Sequence, residues 1–318
     1  MTDEPPTTNR APQEVAAALR ESITAAVRGK PQVVDLALAT LFAGGHLLVE
    51  DLPGTGKTLL AKSLAASIGG KFGRVQCTPD LLPTDITGTS VFRPDTGEWH
   101  FRAGPVFANV VLVDEVNRAS PRTQAALLEP MEERQVTVDG TTRALPRPFF
   151  CIATQNPHGQ VGTFPLPESQ LDRFALVLSL GLPDRSAERE IVTGAGGADV
   201  LPSIRAVTSP EEVAAAIGAT ARTHCDDKVV EYLLDLVDAT RAEPRLSQGA
   251  SPRASSGLMH LARGHAVVAG RNYVTPDDVQ ATLIGALAHR VAVAGRVDTR
   301  AATEVLGWMV MQVPVPRP

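Results

Sequence analysis

The sequence predicts an α/β chain: a P-loop domain with a parallel sheet flanked by helices, followed by an all-helical C-terminal domain. Three observations carry this. The apolar run His46-Leu47-Leu48-Val49 breaks into the Gly-rich turn Pro53-Gly54-Thr55-Gly56, and Lys57-Thr58 then opens the helical pattern Leu59-Leu60-Ala61-Lys62-Ser63-Leu64. A second apolar, β-branched run over 107–113 reads as a strand buried on both faces and ends in Asp114-Glu115. Near Pro183 the long β runs stop. From there helices open at capping signatures, Ser209-Pro210-Glu211-Glu212 and Thr275-Pro276-Asp277-Asp278.

In chain order, residues 1–12 are Pro- and Thr-rich and are expected to be a disordered tail. Apolar positions recur at helical spacing over 13–27, and Arg28-Gly29-Lys30-Pro31 ends that helix. A second helix is expected over 32–42, and Gly44-Gly45 then turns into the P-loop strand. Gly69-Gly70 closes the P-loop helix, and a short strand covers 72–77. Residues 78–106 are irregular, but two short alternating runs about Asp95-Thr96-Gly97 predict an inserted β-hairpin. A second hairpin is expected over 135–143, turning at Asp139-Gly140. A third core strand covers 148–154. Beyond it, 221–241, 256–269 and 279–293 read as amphipathic helices, and Gly194-Ala195-Gly196-Gly197-Ala198 as a hinge or loop. The expected division is a tail at 1–12, an α/β nucleotide domain at 13–182 and a helical lid at 183–318.

The chemistry follows from the loop and the acids. Successive backbone N–H groups and a helix N-terminus can hold β- and γ-phosphates. Lys57 adds a point charge, and the Thr58 hydroxyl can ligate Mg²⁺. One position departs from the usual loop, which opens with Gly where this chain has Asp51. Two adjacent carboxylates at the end of a buried strand are costly to desolvate unless a cation or a water uses them. Asp114 is therefore expected to orient the Mg²⁺ shell and Glu115 to polarise an attacking water. Two solvated acids opening a loop are the plainer alternative.

Bulk properties narrow the classes. The chain has 318 residues, 43% of them hydrophobic, enough for one large and one smaller core. A net charge of −5 with no basic block disfavours sequence-independent nucleic-acid binding. Cys77, Cys151 and Cys225 are widely separated and read as reduced, structural thiols. The seven histidines form no His-Glu-x-x-His array, so a structural metal is not expected. No run reaches membrane-spanning length and the N-terminal residues lack a signal-like apolar stretch, so a cytoplasmic, soluble protein is expected.

The order of P-loop, inserted hairpin, Asp-Glu strand, second hairpin, Asn-ending strand and helical lid resembles an AAA+ ATPase. The local wording is similar to the MoxR family, which commonly carries acidic residues ahead of the loop; that accounts for Asp51. The matching strings are Glu50-Asp51-Leu52-Pro53-Gly54-Thr55-Gly56-Lys57-Thr58, Val113-Asp114-Glu115-Val116-Asn117-Arg118-Ala119, Leu128-Glu129-Pro130-Met131-Glu132-Glu133, Ala153-Thr154-Gln155-Asn156-Pro157, Leu171-Asp172-Arg173-Phe174 and Gly249-Ala250-Ser251-Pro252-Arg253-Ala254. The resemblance implies Mg·ATP hydrolysis in ring oligomers, usually hexamers. It also implies chaperone-like maturation of a protein client, often with a von Willebrand A-domain partner. It assigns nucleotide contacts to Pro53, Gly54, Thr55, Gly56, Lys57, Thr58 and Leu59.

Further roles follow the resemblance residue by residue. Asn156 matches sensor 1, bonding γ-phosphate and lytic water; an Asn-Pro turn is the alternative. Arg173 matches an arginine finger acting on a neighbour's γ-phosphate, with Arg118 and Arg122 as rivals and an Asp172–Arg173 surface pair as the alternative. Arg253 resembles sensor 2, in cis or in trans, or is a solvated first-turn arginine. Val27-Arg28-Gly29-Lys30 resembles the segment that packs on adenine, through Val27 and Gly29, or is a plain helix terminus. Trp99 and Phe101 on the first hairpin either grip a client or pin the hairpin to the body. A nucleic-acid motor and a non-catalytic ATP-binding switch are the competing functions. The lack of basic excess opposes the first; intact Glu115 and Asn156 oppose the second.

Overall fold

The computed structural model describes residues 10–52, 54–156, 163–194 and 197–316. Pro53, the expected tail up to residue 9, and Ala195 and Gly196 of the expected hinge lie outside them. The first part carries helices α1 (Pro12–Ala26), α2 (Pro31–Phe42), α3 (Lys57–Ile68), α4 (Pro83–Thr87), α5 (Pro121–Ala125), α6 (Leu128–Glu133) and α7 (Glu168–Leu171). Its strands are β1 (Leu47–Glu50), β2 (Phe72–Gln76), β3 (Gly88–Arg93), β4 (Glu98–Ala103), β5 (Val110–Asp114), β6 (Gln135–Val138), β7 (Thr141–Ala144), β8 (Phe150–Gln155) and β9 (Leu176–Leu178).

β2, β5, β8, β1 and β9 lie in that order in one parallel sheet. β5 and most of β8 are buried on both faces, as their unbroken apolar runs require. The two predicted hairpins form as separate antiparallel ribbons, β3–β4 and β6–β7. Asp139 and Gly140 turn the second with φ of 52° and 73°, the positive pair that a tight two-residue turn demands.

From residue 185 onward the chain is helical: α8 (Arg185–Val192), α9 (Pro210–Thr220), α10 (Asp227–Ala242), α11 (Pro252–Val268), α12 (Pro276–Leu287) and α13 (Thr299–Val310), with short strands β10 (Leu246–Gln248) and β11 (Ala292–Val293) pairing between them. Three helices differ from their expected bounds. The 256–269 helix begins already at Pro252, because the Ser251 hydroxyl accepts from Ala254 N and caps it. The 221–241 helix begins only at Asp227, because the Asp226 carboxylate accepts from Lys228 N at 2.9 Å and caps it. The 279–293 helix stops at Leu287, beyond which the chain turns and feeds β11.

The helical part does not stand apart from the sheet. One continuous cluster of buried side chains joins Leu38 and Phe42 of α2 to Leu258 and Leu261 of α11 and Leu306 of α13. At Gly264 of α11 the backbone lies so near α2 that a Cβ would fall 2.2 Å from the Ala39 carbonyl oxygen. A second cluster fills the opposite face of the sheet, under the hairpins. No helix among the described residues is long and apolar enough to cross a membrane.

Candidate active site

The sheet order decides the site. β8 lies between β1, which delivers the loop, and β5, which ends in the acids. In register, Val113 faces Ala153 and Leu48 faces Ala153 from the other side. The carboxyl ends of the three strands thus bring Asp51, Asp114 and Thr154 to one edge.

Gly54 and Gly56 have φ of +85° and +98°, and a Cβ at either would meet nothing within 4 Å. Conformation, not crowding, requires glycine there, and the inner side of the loop is open. Gly56 caps α3 without any side-chain hydrogen bond, so no side chain satisfies the first N–H groups of this helix. Those donors and the helix dipole fit a phosphate. Lys57 Nζ donates to the carbonyls of Asp51 at 3.1 Å and Leu52 at 2.6 Å. Burial lowers its pKa, and the charges of Asp51, Asp114 and Glu115 oppose that shift.

Two cavities meet at this loop and share Gly54, Lys57 and Thr58. The larger, about 450 Å³, runs from the loop and Leu59 between Ala26, Val27 and Lys30 on one side and Pro183, Ile191 and Leu201 on the other. Its volume and apolar flanks suit a nucleoside. Val27 is on its wall. Gly29 is not: at φ +72° it turns the chain, and a Cβ there would strike Ala187 at 2.5 Å. The smaller cavity, about 210 Å³, is lined by Arg74, Gln76, Asp114, Glu115, Thr154 and Asn156 beside the loop.

The acids are held with precision. Asp114 is buried; Arg74 Nε donates to its Oδ2 at 2.9 Å, and the Thr154 hydroxyl to its Oδ1 at 3.4 Å. Glu115 has a left-handed backbone, φ 54° and ψ 50°, unusual outside glycine, and its N–H donates to Thr154 Oγ1 at 2.9 Å. Its carboxylate accepts from Arg118 at 2.9 Å and from Gln76 at 3.3 Å. With Thr58 opposite, this oxygen-rich pair fits Mg²⁺. Asn156 stands on the same wall, and its carbonyl is 3.5 Å from Asn117 Nδ2.

The remaining arginines gather elsewhere. Arg173 pairs with Glu132 at the end of α6. Arg253 reaches the same carboxylate at 3.3 Å and Asp172 at 3.2 Å, and Arg290 holds the other oxygen of Asp172 at 2.8 Å. An Asp172–Arg173 pair is therefore not what forms: Asp172 serves Arg253 and Arg290, and Arg173 faces Glu132. Burial, and then the neighbouring Arg253 charge, lower the Arg173 pKa. Neither Arg173 nor Arg253 lines either cavity. Arg118 is engaged by Glu115 of its own site, and Arg122 lies exposed on α5. On the first hairpin the two aromatics part company. Phe101 packs edge-on to Phe107 at 5.6 Å beneath the Arg143 guanidinium and fixes the hairpin to the body. Trp99 is 71% exposed and touches Phe92 of its own hairpin at 5.4 Å between ring centres.

Comparison with known proteins bears on the family and the fold. Residues 46–176 match the ATPase family associated with various cellular activities (AAA), and 238–305 match the AAA lid domain. The chain is 40% identical to the chaperone MoxR1 of Mycobacterium tuberculosis, over 83% of this chain and 72% of that one. It is 30% identical to the protein MoxR of Paracoccus denitrificans, over 88% and 89%. The chain belongs to the MoxR family of AAA+ ATPases. It is also 44% identical to the protein YeaC of Bacillus subtilis, over 85% of each chain. The crystal structure of a candidate ATPase from Cytophaga hutchinsonii superimposes with a TM-score of 0.85 at 32% identity, over 96% of both chains. An MCM homologue from Methanopyrus kandleri shares the fold alone, at 19% identity and a TM-score of 0.55.

For a MoxR-family site, four contributors are not evident from sequence. Thr154 bridges both acids, Arg74 neutralises Asp114, Glu132 gathers two arginines, and Lys30 enters the larger cavity wall. Two had a local signal: Thr154 ends a predicted strand two residues before Asn156, and Lys30 closes the Val27-Arg28-Gly29-Lys30 segment. The contacts of Arg74, Glu132 and Lys30 span 40 to more than 100 residues.

Proposed function

We propose that this chain hydrolyses Mg·ATP at the joined cavities and uses the energy, as a cytoplasmic ring of identical subunits, to remodel or mature a protein client. The observation that carries the reading is the joining itself. A nucleoside-sized cavity runs through an uncapped helix N-terminus and Lys57 into a pocket bearing Asp114, Glu115 and Asn156. Thr58 and Asp114 would hold Mg²⁺, which when bound offsets negative charge on the phosphates. The P-loop N–H groups and Lys57 fix the β- and γ-phosphates. Glu115 accepts a proton from the attacking water, and Asn156 orients that water by its amide. Arg173 and Arg253 lie off their own subunit's cavities, which supports their reaching a neighbour's γ-phosphate. The chaperone name of the M. tuberculosis relative supports a protein client, and a von Willebrand A-domain protein is the partner the family suggests.

Lys57→Ala should abolish nucleotide binding, because the phosphates lose their fixed cation. Glu115→Gln should bind but not turn over, because only water activation is lost. A Gln variant hydrolysing at the wild-type rate refutes the role given to Glu115. Sedimentation with a non-hydrolysable analogue tests the ring; a nucleotide-bound monomer at tens of micromolar, roughly the concentration at which weak subunit contacts form, refutes it. Crosslinked capture with the Glu115→Gln variant identifies the client.

A further inference from the structure

We propose that Asp51 and Lys30 form a charged latch on the Gly181 peptide, tying the phosphate loop to the segment that walls the nucleoside cavity. This rests on the ATP-site reading above. Asp51 stands where an ordinary P-loop has glycine, and the structure gives its carboxylate work to do. One oxygen accepts from Leu52 N at 2.8 Å within the loop, and the other accepts from Gly181 N at 2.7 Å, 130 residues away. The carbonyl of the same Gly181 accepts from Lys30 Nζ, which also donates to the Thr55 carbonyl at 3.3 Å. One peptide is thus held on its N–H by an acid and on its C=O by a base, and both charged groups also bond the loop. Gly181 has φ +64°, a conformation that lets both of its polar groups face the loop and that suits glycine.

Asp51 and Lys30 are each only 8% exposed. Buried charges persist only when paired or hydrogen-bonded; here Asp51 accepts from two main-chain N–H groups and Lys30 donates to two carbonyls. A glycine at 51 would leave the Gly181 N–H without its acceptor and Lys30 without its counter-charge.

The latch also has an input and an output. Lys57, the cation that phosphate attracts, donates to the main-chain carbonyls of Asp51 and Leu52. Any ligand that draws the ammonium toward phosphate weakens its hold on the residue whose side chain grips Gly181. On the far side, Gly181 leads through Leu182 and Pro183 into α8, and Pro183 and Ile191 face the nucleoside cavity. The route is phosphate, Lys57, Asp51, Gly181, cavity wall. Asp51 and Lys30 are positioning residues on it, since they act through the peptide they hold.

Hydrogen exchange of the full chain, with and without a non-hydrolysable ATP analogue, tests this. In the wild type the analogue should raise protection both in the P-loop and across 180–192. In Asp51→Ala it should protect the P-loop alone, and analogue dissociation should quicken about tenfold, the effect of losing one charge-assisted hydrogen bond. Asp51→Asn keeps an acceptor for the Gly181 N–H and should restore most of the protection at 180–192. Lys30→Met should behave like Asp51→Ala, and is read alone if the alanine variant does not fold. A merely structural pair predicts lower thermal stability but unchanged analogue-induced protection at 180–192 in Asp51→Ala and Lys30→Met; that result overturns the latch. Failure of the wild type to bind the analogue overturns the ATP-site reading instead, and the latch with it.

Discussion

Thr154→Val isolates the positioning of Glu115 from its chemistry. Valine nearly matches threonine in shape, and the site is 1% exposed, so packing is retained while the hydroxyl is lost. Two bonds go with it: the acceptor for Glu115 N–H at 2.9 Å and the donor to Asp114 at 3.4 Å. An unmade hydrogen bond at a buried site costs about 1–3 kcal/mol. The same N–H bond helps to hold Glu115 in a left-handed conformation that itself costs roughly 1–3 kcal/mol. Taking about 2 kcal/mol for the loss, the melting temperature should fall by roughly 4 °C, the lower end of the size scaling. The larger effect is catalytic. Once released, the Glu115 backbone can relax, and a displacement of about 1 Å costs on the order of 100-fold in rate. Steady-state ATP hydrolysis, calorimetric unfolding and analogue binding should be measured together. Turnover should drop about 100-fold with affinity little changed, because the P-loop is untouched, and Thr154→Ser should recover most of it. Wild-type turnover in Thr154→Val refutes a positioning role for this hydroxyl on Glu115, the proposed general base.

Three further outcomes are expected. Arg173→Ala should bind ATP yet hydrolyse it on the order of 10³-fold more slowly, and mixing it with the Lys57→Ala chain should restore activity in some sites of the mixed ring; failure of confirmed mixed rings to recover moves the finger to Arg118 or Arg122. Gly264→Ala should destabilise by about 1–3 kcal/mol in thermal unfolding, because its Cβ would meet the Ala39 carbonyl at 2.2 Å and main chain yields little; an unchanged melting point refutes the tight helix contact. Burial holds His46 down to about 4 and His289 down to about 3, so between those values and the ordinary 6.5 the unfolded chain binds more protons. Stability should therefore fall as pH drops below about 6.5, and a urea midpoint that stays flat down to about pH 5, or one equally steep in His289→Gln, refutes that linkage.

What could be read from sequence was local. The P-loop, the Asp114-Glu115 strand end and the Asp139-Gly140 turn are each specified within a few residues, by conformational needs that only certain side chains meet. Some helix starts were legible because caps such as Ser209 and Thr275 sit immediately before proline. The start of α10 at Asp227 was missed because 221–225 continue an apolar spacing that Asp226 interrupts. The clusters around Glu132 and Gly181 could not be read at all. Their members carry no shared local pattern and meet only once β9 lies beside β1 and α11 has packed on α2. The Asp51 departure was visible as an oddity; its partner was not.

The close approach of α11 to α2 bears on how such a subunit can perform work. Ordinary two-part motors bend at a joint, with a loosely seated cap swinging as the catalytic cleft opens and shuts. Here one apolar cluster runs from the helical face of the sheet through α2 and α11 to α13, with Gly264 pressed against main chain. There is little slack for a swing within the protomer. In the ring proposed above, the work would then fall on the contacts between protomers, with each protomer tilting as a rigid wedge.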